Sequence, residues 1–136
     1  ENLYLDERLY ANNLINVNLG SERISIEEKL IEIGHDKDHT IIADSAEKKS
    51  IIELRQKGFN VRSAHKYPGS IKEGLKLLLS YNIIITNRST NLKKEFENYL
   101  YKIDRNDKII PEPIDAHNHL IDPIRYVLLM KGRLWQ

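Results

Sequence analysis

The sequence predicts an α/β fold with a largely parallel core. Two observations point there: short apolar runs alternate with amphipathic stretches along most of the chain, and helix-capping or turn residues punctuate the changes. Leu3 to Tyr10 opens the chain with Leu3, Leu5 and Leu9 at alternating positions, the period of a strand. After an Asn-rich polar stretch, Ser25 with Glu28 forms a capping-box pattern that starts a helix with Ile26, Leu30 and Ile33 on one face and Gly34 as its stop. His35 to His39 is a polar loop. Thr40 to Ala43 is a continuous apolar run, the pattern of a strand buried on both faces, and it ends at Asp44.

A helix follows over about Ala46 to Lys57, with Ile51, Ile52 and Leu54 inward and Gly58 as its stop. Phe59 to Ala64 is a second short strand. Tyr67 to Ser70 is turn chemistry, with Ser70 as the cap of a helix through Leu75, Leu78 and Leu79. Asn82 to Thr86 is a third buried strand, and Asn91 to Tyr101 an amphipathic helix. Asp104 to Pro113, polar and carrying two prolines, is a loop or loose hairpin. The last helix covers about Asn118 to Met130.

At 136 residues the chain has the length of one domain, burying roughly two-thirds of its unfolded surface. Its 21 basic residues nearly cancel its 20 acidic ones, so any DNA-binding surface must come from local clustering. With no cysteine, disulfide scaffolds, thiolate metal sites, iron–sulfur clusters and cysteine nucleophiles are excluded. No apolar stretch approaches the roughly 18 residues of a membrane span. There is no signal peptide and the first residue is Glu1, so the chain reads as a soluble, reducing-compartment domain cut from something longer.

In open α/β sheets functional groups collect at the carboxyl ends of strands. Asp44 stands at such an end and is either a metal ligand or the N-cap of the following helix. His119 and Asp122, three apart on the last predicted helix, share a face, as two groups converging on one metal or water would, or as an ordinary surface pair does. Asp115 and His117 read as loop residues, and His35 and His39 as solvated surface. Lys66, Ser70 and Lys72 around a helix start, and Arg88-Ser89-Thr90 after the third strand, are standard phosphate-contacting groups or ordinary solvated loops. Lys93, Lys94, Glu95 and Tyr99 read as plain helix surface.

Four segments taken together resemble the C-terminal nuclease domain of the large terminase subunit of tailed bacteriophages. They are Ile42-Ala43-Asp44-Ser45-Ala46-Glu47 with Ser50-Ile51, Lys66 with Gly69-Ser70-Ile71, Arg88-Ser89-Thr90-Asn91-Leu92 with Glu95, and Asn118-His119-Leu120-Ile121-Asp122 with Arg125-Tyr126. The opening Asn2 to Glu7 is similar to that family's third strand. The resemblance implies one domain over residues 1–136, N-terminally truncated, with an RNase H-like mixed or parallel sheet flanked by helices and lacking its first two strands.

It further implies a metal-dependent endonuclease that cuts double-stranded viral DNA concatemers during genome packaging. The expected cofactors are two Mg²⁺ or Mn²⁺ ions, about 3.5–4 Å apart in such sites. By motif, Asp44 and Asp122 resemble the metal-holding acids and His119 the histidine that accompanies them, while Lys66, Lys72 and Arg88 are the expected backbone contacts. Implied partners are double-stranded DNA and, in the full-length protein, an ATPase motor domain, the portal and the small terminase subunit, in the bacterial host cytoplasm and with no membrane.

Two departures stand out. The family's first catalytic acid lies on its first strand, which no segment here resembles, and the first two strands would fill the sheet between the third and the fourth. Upstream residues or a partner chain would close that gap. Alternatively the opening strand pairs with Thr40 to Ala43 through the helix between them, bringing Asp6 towards Asp44. The other departure is Pro123, where the family usually has a small residue; proline is tolerated only near a helix start or at a kink. A G-x-x-x-x-G-K-[ST] phosphate loop is absent, so the ATPase motor is not in this sequence. The alternative reading is a catalytically inactive prophage fragment that only binds DNA or a packaging partner.

Overall fold

The computed structural model describes residues 1–11, 14–17, 25–100 and 119–134, with the side chains of 99–100 and 132–134 outside the description. The chain forms two compact units. One is Arg8–Ala64, and the other combines Glu1–Glu7 with His65–Gln136. Each contains a two-stranded parallel sheet among its described residues. The predicted loop over 104–113, with Asp115, His117 and Asn118, lies outside the described residues.

The Arg8–Ala64 unit runs α1 (Ile26–Glu32), β2 (Ile41–Ala43), α2 (Lys48–Gln56) and β3 (Val61–Ser63). The label β1 belongs to the opening strand of the other unit, Asn2–Leu5. Ser25 caps α1 as its Oγ accepts the Glu28 N–H at 3.0 Å. Both helices end as their glycines predict. Gly34 (φ 73°) donates to Ile31 and His35 to Leu30; Gly58 (φ 90°) donates to Arg55 and Phe59 to Leu54. This pair of back-bonds is the Schellman arrangement, which needs a left-handed residue that glycine supplies without a Cβ clash. The second motif also drives Phe59 onto Leu54, and both enter the unit's core with Ile51 and Val61.

α2 connects β2 to β3, which pair as Ile41↔Val61, Ile42↔Arg62 and Ala43↔Ser63. Two expectations fail here. Ile52 is 54% exposed, because one helical step from Ile51 turns it about 100° off the buried face. β2 is only half-buried along its length, not sealed on both faces.

In the other unit, β1 pairs in parallel with β4 (Asn82–Ile85), from Asn2↔Asn82 to Leu5↔Ile85. The alternative in which the opening strand pairs with Thr40 to Ala43 is thereby overturned. β1 ends at Leu5, so Leu9 lies beyond the strand. Leu3, Leu5, Ile83 and Ile85 face the core, whereas Tyr4 is 71% and Ile84 37% exposed, which makes β4 a one-faced strand. α3 (Ser70–Leu79), α4 (Thr90–Leu100) and α5 (Ile121–Leu134) supply the rest of the core: Leu75, Leu78, Leu92, Phe96, Ile121 and Leu128.

Ser70 is the first residue of α3 and not its cap; Gly69, at φ 85°, takes the cap position. α5 starts at Ile121, three residues later than predicted, so Pro123 falls in its first turn, where a missing N–H breaks no helical bond. No helix among the described residues is long and apolar enough to cross a membrane.

Candidate functional site

Asp44 follows β2 at the strand's carboxyl end and is half-buried. Its Oδ1 accepts the Ala46 N–H at 3.0 Å and its carbonyl accepts the Glu47 N–H at 3.0 Å, closing an Asx-type turn. The N-cap of α2 is Glu47, which makes no side-chain cap bond. Of the two readings of Asp44, the helix cap is therefore overturned: the carboxylate shapes the turn ahead of the helix. In the same unit, His35 and His39 belong to a loop that packs on Phe59, with the His35 and Phe59 ring centres 6.2 Å apart.

The other sequence-derived site residues lie in the second unit. Asp122 occupies the first turn of α5, where the helix dipole favours a carboxylate. Arg125 donates from Nη2 to Asp122 Oδ1 at 2.6 Å, with the Arg125 side chain 4% and the Asp122 side chain 27% exposed. Arg125 packs closely over Gly74 of α3, where an added Cβ would sit 3.0 Å from Arg125 Cβ and one of the two would have to shift. His119 is exposed in the turn before α5, so it and Asp122 do not share a helical face as the spacing predicts.

Glu95, read from the sequence as surface, is 3% exposed. Its Oε1 accepts the N–H groups of Leu120 at 2.7 Å and Ile121 at 3.1 Å, so a carboxylate on α4 caps α5. Glu95 Oε2 and Arg125 Nε are buried without a hydrogen-bond partner among the described residues. A signal existed in the sequence. Glu95 lies three residues after Leu92 and beside Phe96, on the helix's apolar stripe, where a charge is unexpected unless it is bonded.

The expected DNA-contacting cations differ in their surroundings. Lys66 Nζ stands 5.5 Å from the centre of the Tyr126 ring, and the Arg125 guanidinium is also 5.5 Å from that ring. Lys72 is exposed on the first turn of α3. Arg88 is held by Asp6: Nε donates to Oδ1 at 2.8 Å and Nη2 to Oδ2. These bonds raise the pKa of Arg88 above its ordinary value.

Around that pair, Thr86 donates to Asp6 at 2.7 Å. Glu7 donates from its backbone to Ser89 Oγ at 2.8 Å and accepts from Leu92 N and Asn91 Nδ2 at 2.8 and 2.9 Å. The loop after β4 and the start of α4 thus present hydroxyls, a guanidinium and amides, and two carboxylates of the opening segment occupy them. No spacing rule connects residues 80 to 85 apart in sequence, so these partners were invisible before the fold.

Among the described residues, no group of three or more His, Asp or Glu side chains is arranged to hold a metal ion. The sequence matches the family model of the terminase RNAseH like domain over residues 1–129. The chain belongs to that family.

Relatives of this terminase RNase H-like domain include the terminase large subunit of Bacillus phage SPP1, 40% identical over 90 residues, which are 63% of this chain and 21% of the relative. The PBSX phage terminase large subunit of Bacillus subtilis (strain 168) is 36% identical over 89 residues, 65% of this chain and 21% of that protein. The terminase domain therefore spans about a fifth of the length of these two relatives. It also resembles the crystal structure of the g2p (large terminase) nuclease domain from bacteriophage SPP1 with bound Mn, at a TM-score of 0.63 and 32% identity, covering 76% of this chain and 60% of that one. That likeness makes the fold RNase H-like, mixed α/β with parallel pairing, as the sequence predicts.

Proposed function

We propose that this chain forms part of a divalent-metal-dependent endonuclease domain of a phage or prophage terminase large subunit, cutting double-stranded viral DNA concatemers during packaging. The observation that carries the reading is the likeness, at 32% identity, to a nuclease domain solved with bound Mn. We place residues 1–136 in a single functional domain, with Asp44 and Asp122 contributing oxygen ligands and His119 an auxiliary nitrogen or a water-orienting group. The expected partners are double-stranded DNA, an ATPase motor domain in the same polypeptide, the portal and the small terminase subunit, within the host cytoplasm.

The donor chemistry suits Mg²⁺ or Mn²⁺, which take carboxylate oxygens. The donor number does not complete a centre, since no three ligating side chains come together among the described residues. In a terminase nuclease the remaining carboxylate is expected from the family's first strand. One observation favours the second reading, an inactive DNA- or partner-binding domain: the same lack of a three-ligand group.

Plasmid cleavage separates the two readings. With Mn²⁺ or Mg²⁺ the nuclease linearises or nicks the plasmid, and EDTA abolishes the reaction. Binding without cleavage, in this chain and in a longer polypeptide carrying the first strand, would leave the inactive reading.

Lys66, Lys72 and Arg88 are proposed to contact DNA phosphates, so affinity should fall with salt and depend little on sequence. Each lost contact removes about 0.9 from the slope of log affinity against log salt. Lys72→Ala is expected to show that full change in a titration at several salt concentrations. Arg88→Ala should show less, because the Asp6 carboxylate already partly neutralises the Arg88 charge.

A further inference from the structure

We infer that Glu95 is the positioning residue for the segment that carries His119 and Asp122, an inference that rests on the reading of those two as site groups. The first N–H groups of a helix have no intrahelical acceptor and are ordinarily served by a polar side chain at the cap itself. Leu120, the residue before α5, has no side-chain acceptor. The acceptor comes instead from α4, 25 residues earlier, as the Glu95 carboxylate takes the Leu120 and Ile121 N–H groups.

Burying a carboxylate at 3% exposure is unfavourable unless its bonds repay the lost hydration, and here Oε2 has no partner among the described residues. A cap supplied locally would serve α5 without that burden. What the remote carboxylate adds is registration: it fixes where α5 begins relative to α4. Ile121, fully buried in the core, pins the same turn. Asp122 is the next residue, and Arg125, wedged over Gly74, holds its side chain. The backbone and the carboxylate of Asp122 are thus fixed by separate groups, Glu95 for the first and Arg125 for the second.

The test compares the 136-residue chain with Glu95→Leu and Glu95→Gln, by amide NMR shifts and hydrogen exchange and by Mn²⁺-dependent plasmid cleavage. Gln keeps one acceptor oxygen; Leu keeps none. In Glu95→Leu, exchange at Leu120 and Ile121 should accelerate by about tenfold or more and the signals of residues 119–122 should move, while those of β2 and β3 stay. Cleavage should fall with DNA affinity unchanged. Glu95→Gln should restore both the protection and the rate.

Unchanged exchange in Glu95→Leu, or a Gln variant that behaves like Leu, would overturn the inference. If the Leu variant does not fold, Glu95→Gln decides alone: retained protection at 120 and 121 supports the role and its loss refutes it. The expected exchange pattern with no cleavage, in this chain and in a longer polypeptide carrying the family's first strand, refutes the nuclease reading and upholds the placement of 119–122 by Glu95.

Discussion

Asp44→Asn and Asp122→Asn are each expected to lower metal-dependent DNA cleavage by more than the roughly 10–100-fold that losing a residue behind a metal ligand costs. Asparagine is the informative replacement at both positions. At Asp44 it keeps an oxygen for the Ala46 N–H, so the turn after β2 persists while the charge is lost. At Asp122 it keeps an acceptor for Arg125.

Asp122→Ala should differ from Asp122→Asn in stability as well as activity. It strands a guanidinium that is 4% exposed, at a cost of about 1–3 kcal/mol, reduced by the water that reaches the 27%-exposed carboxylate position. Cleavage assays run beside thermal unfolding separate the two effects. Loss of activity in both Asn variants at an unchanged midpoint is the expected pattern.

The second large effect concerns the core. Leu78→Ala should destabilise the protein by about 2–5 kcal/mol, because Leu78 is 0% exposed and its neighbours Leu75, Phe96, Ile121 and Leu128 can collapse only partly onto the space left. Leu79→Ala, one residue on and 44% exposed, should cost less than about 1 kcal/mol. Urea unfolding followed by circular dichroism measures both. Equal losses would place the inward face of α3 differently.

That contrast marks what the sequence could and could not convey. Apolar spacing located α3 but left Leu78 and Leu79 alike, since only the packing of α5 against α3 separates them. Features that act within a few residues were legible: the Ser25 cap, and Gly34 and Gly58 as stops, each follow from local backbone needs. Strand partners were not, because a period of two assigns faces and not neighbours. The pairing of Asn2 with Asn82 is set together with Asp6 binding Thr86 and Arg88 and with Glu7 binding Leu92.

The candidate site shows the same division. Asp44 at a strand's carboxyl end and Asp122 near a helix start are positions that local pattern supplies. The setting of Asp122 depends on Glu95, Gly74 and Arg125, which lie on three different helices, and the apolar stripe that marks Glu95 as bonded does not say which backbone groups it serves. The start of α5 at Ile121, three residues after Asn118, has a related cause: the acceptor for its first N–H groups comes from α4.

The most direct measurement is a titration of the isotope-labelled chain with Mn²⁺, following paramagnetic broadening of its amide signals. The account predicts broadening that centres on residues around Asp44 and around Asp122 and disappears from each when that residue is changed to Asn. Broadening centred on the His35–His39 loop, or undiminished in both Asn variants, would contradict the assignment of these two carboxylates as metal ligands.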